Sequence, residues 1–263
     1  MALIGFYDDI FLAHHQWQHP ERPERLQAAR RILRESGLLD EMEWPDFSPA
    51  TLDQVCAIHD PVLWQRLRQL SALGGGDIDA DTYVNAFSCE AATAAAGAAI
   101  AAVERALSEP GAVPVALVRP PGHHATTTRS MGFCLINNSA IAARYALDTL
   151  GVERVAIVDW DVHHGNGTEE IFYEDPAVLT ISIHQFPFYP GTGRMHEVGT
   201  GAGWGSTLNV PLPAGSGEIR WNGDPVDDPA SFFVPPVSAY TPQVPRLFSD
   251  SLEENLLLGR QLG

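Results

Sequence analysis

Three short apolar runs, Val113–Val118, Val155–Val158 and Val178–His184, constrain this chain more than any other feature. They are rich in β-branched residues and bounded by polar and turn residues, the composition of strands buried on both faces. Helical segments separate them: Ser139–Leu150, closed by Gly151, then a short one over Thr168–Tyr173. The order β-α-β-α-β specifies a parallel sheet with helical crossovers. Ala2–Tyr7 is expected as a first strand and Thr207–Leu212 as a fourth. A long Ala-rich helix is expected over Ser88–Leu107, with Ser88 as N-cap. Pro23–Ser36, Thr51–Ile58 and Pro61–Leu73 read as further helices. Asp77–Phe87 reads as a polar turn. Within Phe11–Arg25, Pro20 and Pro23 disfavour a helix before Glu24. Its histidines, His14, His15 and His19, are read as surface or capping residues.

The first two strands empty into residues that carry chemistry. Val113–Val118 leads to Arg119-Pro120-Pro121-Gly122-His123-His124-Ala125, and Val155–Val158 leads to Asp159-Trp160-Asp161-Val162-His163-His164-Gly165-Asn166-Gly167. Open α/β sheets bind ligands beyond the carboxyl ends of their strands. Asp161 and His163 stand two apart, so in an extended segment a carboxylate and an imidazole point the same way and can meet one metal ion. An oxygen–nitrogen pair suits zinc. The paired imidazoles His123 and His124 titrate near neutral pH and supply an acid and a base. Asp159 is placed to orient one of them. The constellation points to metal-assisted hydrolysis of an amide.

Composition narrows the setting. A chain of 263 residues suffices for one sizeable α/β domain. The formal charge is -17, and all 16 basic residues are Arg. Such a field repels nucleic acid and anionic membranes, so neither is an expected partner. Cys56, Cys89 and Cys134 form neither a disulfide framework nor a Cys-x-x-Cys pair, which points to a reducing cytoplasm. The first ten residues lack the basic flank of a signal peptide. The Ala91–Val103 run is too short to span a membrane.

The motifs RPPGHHA (119–125), GFCLINN (132–138), DWDVHHGNG (159–167), SIHQFPFYPGTG (182–193) and HPERPERL (19–26) together resemble the histone deacetylase and acetylpolyamine amidohydrolase family, in its class II-like bacterial form. The resemblance runs in order to about Gly217. It implies a three-layer arginase-like α/β fold with a mainly parallel central sheet. The implied activity is zinc-dependent removal of acyl groups from acetyl-lysine peptides, polyamines or similar amines. It makes Asp161 and His163 zinc ligands, and His123 and His124 the acid/base pair with His124 as general base. Asp159 would orient His123, and Asn166 would sit beside His124. Gly132, Phe133 and Tyr189 would line the acyl-amine channel, with Asp81 at its rim. A structural potassium ion is implied near Asp159, Asp161, His163, Ser182 and Ile183.

The family also uses a third zinc ligand, an Asp in a Gly-Phe-Asp-type motif, and an oxyanion-binding Tyr in a Gly-Gly-Tyr motif. Neither motif occurs after Gly217. Asp224, Asp227, Asp228 and Tyr240 lack the flanking residues that would make them substitutes. Residues 1–217 therefore read as the N-terminal portion of a deacetylase-like domain, and 218–263 as an atypical tail with a short helix over Ser251–Leu262. The expectation is a sheet incomplete at its C-terminal end. An inactive homologue that binds an acylated amine or a metal without hydrolysis is the alternative function.

Overall fold

The computed structural model describes residues 2–216, together with the backbone of two short strands at 220–221 and 224–225. Asp227, Asp228, Tyr240 and the Ser251–Leu262 segment lie outside the described residues. The strands are β1 (Leu3–Phe6), β2 (Gly75–Asp77), β3 (Tyr83–Asn85), β4 (Val113–Ala116), β5 (Val155–Asp159), β6 (Val178–Gln185), β7 (Thr207–Leu212), β8 (Arg220–Trp221) and β9 (Asp224–Pro225). The helices are α1 (Ile10–Ala13), α2 (Glu24–Glu35), α3 (Leu38–Glu41), α4 (Leu52–Cys56), α5 (Pro61–Ala72), α6 (Ser88–Ser108), α7 (Asn138–Asp148) and α8 (Asn166–Phe172).

The five strands of the expected parallel sheet are all present, but they form two separate ladders. β1 pairs with β4, and β5, β6 and β7 pair in that order, every pairing parallel. β2 and β3 form an antiparallel hairpin, with the last residue of β2 and all of β3 inside the segment read as a polar turn. Its register is held by Ile78 and Asp79 N–H bonds to the Thr82 carbonyl, a closure that polar composition alone does not reveal.

α6 packs on the β1–β4 ladder and against α7, which in turn packs on β5. Its Ala92, Ala96 and Ile100 join one hydrophobic cluster with α7, Leu135, Ile136 and Val178. Its Ala94, Ala95 and Ala98 join a second cluster with Ile4, Phe6 and Phe11. Alanine allows both approaches because it adds no bulk. At Gly97 even one methyl would meet the Ser48 carbonyl at 2.1 Å. The α6 N-cap is Phe87 rather than Ser88. The Ser88 hydroxyl instead accepts from the Asn85 N–H and bonds His14 Nδ1.

The histidines of the N-terminal loop are also not as expected. His14 is buried and stacks on Tyr83 with ring centres 4.4 Å apart. His19 is half-buried, edge-on to Tyr83 and Phe133. Only His15 of the three is exposed. The segment also contains the short α1, ahead of both prolines. Burial follows from an ion pair that the loop wraps: the Arg119 guanidinium donates to the Glu21 carboxylate from Nε (2.5 Å) and Nη2 (2.6 Å).

His59 ties the α4–α5 junction to the centre of the molecule. Its Nδ1–H donates to the Thr126 carbonyl (2.9 Å), and its Nε2 accepts from the Asn137 N–H (2.8 Å). Burial lowers its pKa to about 4, against the opposing pull of the backbone carbonyls. The folded pKa lies below the unfolded one, so this stabilisation is complete above about pH 6.5 and is lost as pH falls towards 4. The native protein is expected to lose about 3 kcal/mol more stability between pH 7 and pH 4 than His59→Gln. Urea unfolding of both proteins across that range measures it; equal pH slopes would contradict the assignment.

Candidate active site

The carboxyl ends of β4 and β5 meet at the site. His123, from the β4 exit loop, places Nδ1 2.8 Å from Asp159 Oδ2 at the last residue of β5. The first turn of α8 fixes the same loop, because the Gly167 and Thr168 N–H groups both bond the His123 carbonyl. His124 Nδ1–H donates to Asn166 Oδ1 (2.7 Å). The two imidazole rings stand 4.0 Å apart. All four residues named from sequence as catalytic thus form one unit.

The two imidazoles sit in opposite electrostatic settings. Burial alone would lower the pKa of His123, but the facing Asp159 carboxylate outweighs it and the pKa is raised. His124 has no carboxylate partner at hydrogen-bond distance. Burial, with His123 as a charged neighbour, lowers its pKa to about 3. The amide oxygen of Asn166 holds the proton on Nδ1, leaving Nε2 as a free acceptor. His123 is thus suited to donate a proton and His124 to receive one.

Asp161 and His163 stand beside this pair. His163 Nδ1 lies 2.9 Å from Asp161 Oδ1, close enough for both atoms to bind one ion. Burial opposes ionisation of Asp161, yet hydrogen bonds from His163 and the charge of His123 bring its pKa down to about 2. The donor chemistry fits zinc. Among the described residues, however, no group of three His, Cys, Asp or Glu side chains is arranged to hold a metal. A catalytic zinc takes three protein ligands, so the described residues supply two of the set.

The channel residues take their places around the pair. Gly132 has φ +57, and a methyl there would meet the His124 ring at 2.4 Å, so glycine is required for the loop to pass. Tyr189 stands edge-on to His124 with ring centres 5.0 Å apart. Burial, then the charge of Asp81, raises the Tyr189 pKa to about 12. Phe133 packs against His19 and donates its N–H to the Thr82 hydroxyl. Two contributors went unnamed from sequence. Phe188 stacks on His163 at 4.9 Å, and buried Cys134 places its sulfur 3.4 Å from the His124 N–H. Both lie inside quoted motifs, which was the available signal.

Asp159 and Ser182, two of the five residues expected around potassium, are register partners on β5 and β6. They border a small internal cavity also lined by Glu169 and Asn209. The buried Asn209 Oδ1 has no hydrogen-bond partner. That is an uncompensated acceptor beside a carboxylate, a setting that fits a monovalent cation.

Comparison with known proteins gives a consistent answer. The histone deacetylase domain model matches residues 19–244. A probable deacetylase of Archaeoglobus fulgidus is 44% identical over 218 residues, covering 82% of this chain and 60% of its own length. A histone deacetylase-like amidohydrolase of Pseudomonas aeruginosa is 40% identical over 202 residues, covering 76% of this chain and 53% of its own length. Among solved structures, the HDA15 HD domain superposes with a TM-score of 0.78 at 38% identity, over 81% of this chain and 62% of that one. The fold is accordingly the α/β deacetylase-like one that the motifs implied. The chain spans just over half to 60% of the two curated relatives it matches here. It belongs to the histone deacetylase domain family.

Proposed function

We propose that the site belongs to a zinc-dependent amidohydrolase that removes acetyl groups from lysine side chains or polyamine-like amines. One observation carries this reading: two adjacent imidazoles, one bonded to the Asp159 carboxylate and one to the Asn166 amide oxygen, face the Asp161–His163 pair. Asp161 and His163 would hold the zinc, which when bound polarises the acyl carbonyl and acidifies a water. His124 Nε2 takes the water proton. His123 stabilises the developing negative charge and gives a proton to the leaving amine. Gly132, Phe133 and Tyr189 shape a narrow approach for the acyl-amine chain. Asp159, Asp161, His163, Ser182 and Ile183 would surround a potassium ion. The acidic surface, with a formal charge of -17, favours cationic amines over nucleic acid. Three unpaired cysteines suit a reducing cytoplasm.

A second reading is favoured by the two-donor metal set: a domain that binds an acylated amine or a metal without hydrolysing it. Zinc per chain in the purified 263-residue protein, by elemental analysis with Asp161→Ala as control, separates the two. Near-stoichiometric zinc that is lost in the variant, with acetate released from acetylated peptides or acetylpolyamines, is the expected result for the hydrolase. A folded protein with neither zinc nor acetate release leaves the binding reading.

A further inference from the structure

The GFCLINN segment (132–138) carries a residue that the proposed chemistry leaves unused. Asn137 is fully buried at the N-terminus of α7. Its amide oxygen and both amide hydrogens are engaged. Oδ1 accepts from the Ala140 N–H (3.0 Å) and caps the helix. Nδ2 donates twice, to the Ala125 carbonyl (3.3 Å) and to the Thr168 hydroxyl (3.0 Å). Only this orientation works, because a rotated amide would set its oxygen against the Ala125 carbonyl and its NH2 against the Ala140 N–H. The backbone is held as well. The Asn137 N–H donates to His59 Nε2 (2.8 Å), and His59 Nδ1–H donates to the Thr126 carbonyl (2.9 Å).

The two acceptors of Nδ2 lie on opposite sides of one seam. Ala125 follows His124 on the β4 exit loop, and Thr168 stands two residues after Asn166 in the first turn of α8. The His124–Asn166 bond (2.7 Å) crosses that same seam. On the other side of His124 the backbone closes it, with the Gly167 and Thr168 N–H groups on the His123 carbonyl at 2.9 and 3.2 Å. The fit is close: a methyl at Gly167 would meet the Ala125 carbonyl oxygen at 2.3 Å. Asn166 depends on such a fit. The second partner of its amide is the Met131 sulfur, 3.6 Å from Nδ2, and sulfur is a weak acceptor. A rotated Asn166 amide would offer NH2 to His124 Nδ1, put the ring proton on Nε2 and remove the base. A tight seam favours the oxygen over the bulkier NH2.

We infer that Asn137 is a positioning residue for the His124–Asn166 pair: by tying the His124 loop to the first turn of α8, it holds Asn166 Oδ1 on His124 Nδ1–H and keeps Nε2 as the free acceptor. The inference rests on the reading of His124 as general base. Asn137 acts through Ala125 and Thr168 rather than at the reacting atoms. Its influence is selective. His123 takes its orientation from Asp159 and from the two backbone bonds to its carbonyl, so it does not depend on the Asn137 amide. His59, which binds both the Asn137 N–H and the Thr126 carbonyl, supports the same seam from the α4–α5 junction.

The test reads the ring nitrogens directly, by 15N NMR of the full 263-residue protein with labelled histidine near neutral pH. It needs neither zinc nor hydrolysis, so it stands or falls apart from the proposed activity. His124→Ala assigns the His124 signals. The native protein should show His124 with its proton on Nδ1. Asn137→Ser keeps a good N-cap for α7 and loses both seam donors. In that variant the Nε2–H form of His124 should rise about tenfold, while the His123 signals stay as in the native protein. In protein that hydrolyses acetylated peptides, the same variant should lower kcat about 10–100-fold with KM little changed. Should Asn137→Ser fail to fold, Thr168→Val breaks the far end of the tie and leaves the α7 cap intact. It should shift His124 the same way, and Thr168→Ser, which keeps the hydroxyl, should give the native spectrum. An unmoved His124 in Asn137→Ser or Thr168→Val would leave Asn137 as a helix cap alone and overturn the inference. So would an equal disturbance of His123, or a native His124 already protonated on Nε2.

Discussion

Arg119→Met is expected to cost about 3–5 kcal/mol of folding stability, enough to unfold much of a protein of ordinary stability. Arg119 is 3% exposed and Glu21 is fully buried. The guanidinium satisfies both Glu21 oxygens and also donates to the Phe11 and His14 carbonyls. Methionine preserves much of the volume but leaves a buried carboxylate and two carbonyls without their donors. Two neighbours do not repair this. His14 lies 3.7 Å from Glu21, but burial and the charge of Arg119 lower its pKa to about 3, so it is neutral. Arg25 reaches one Glu21 oxygen at a longer 3.4 Å. The double variant Glu21→Leu/Arg119→Met should recover a large part of the loss, because it removes the stranded charge. Chemical denaturation of the three proteins measures this. A single variant as stable as the native protein would show that the pair is dispensable.

His124→Ala is expected to lower acetate release by about 10²–10⁴-fold in protein that hydrolyses acetylated peptides. His124 has its Nδ1 proton fixed by Asn166 and its Nε2 free, and its ring stands 4.0 Å from the His123 ring. Asn166→Asp makes a complementary case. A carboxylate beside Nδ1–H favours the imidazolium, so the rising limb of the pH–rate profile should move to higher pH. Steady-state rates across pH for the native protein and both variants test the pair together. A small rate loss in His124→Ala, with an unmoved profile in Asn166→Asp, would transfer the base role elsewhere.

Local chemistry made much of this site legible before any coordinates. His123, His124, Asp159, Asp161, His163 and Asn166 lie in two short stretches, each following a β-branched run. The rule that parallel strands deliver ligands at their carboxyl ends was enough to predict that the stretches meet. Contacts spanning long sequence separations were not legible. Glu21 and Arg119 are 98 residues apart, and nothing near Glu21 marks a carboxylate with no solvent. The burial of His14 depends on Tyr83 and Ser88, which reach it only because the β2–β3 hairpin closes. The hairpin escaped notice because its strands are three residues each, too short for a period-two pattern to emerge. The division of the sheet was invisible for a different reason. Composition reports what a strand is suited to bury, not whether a neighbour is there to bury it.

The alanine helix α6 carries one further consequence. One of its faces completes the cluster under β5 and β6, and the other completes the cluster under β1 and β4. Neither half of the molecule can open without exposing apolar surface that the other half needs covered. The ladder of the sheet is interrupted, yet α6 couples the two halves into a single cooperative unit.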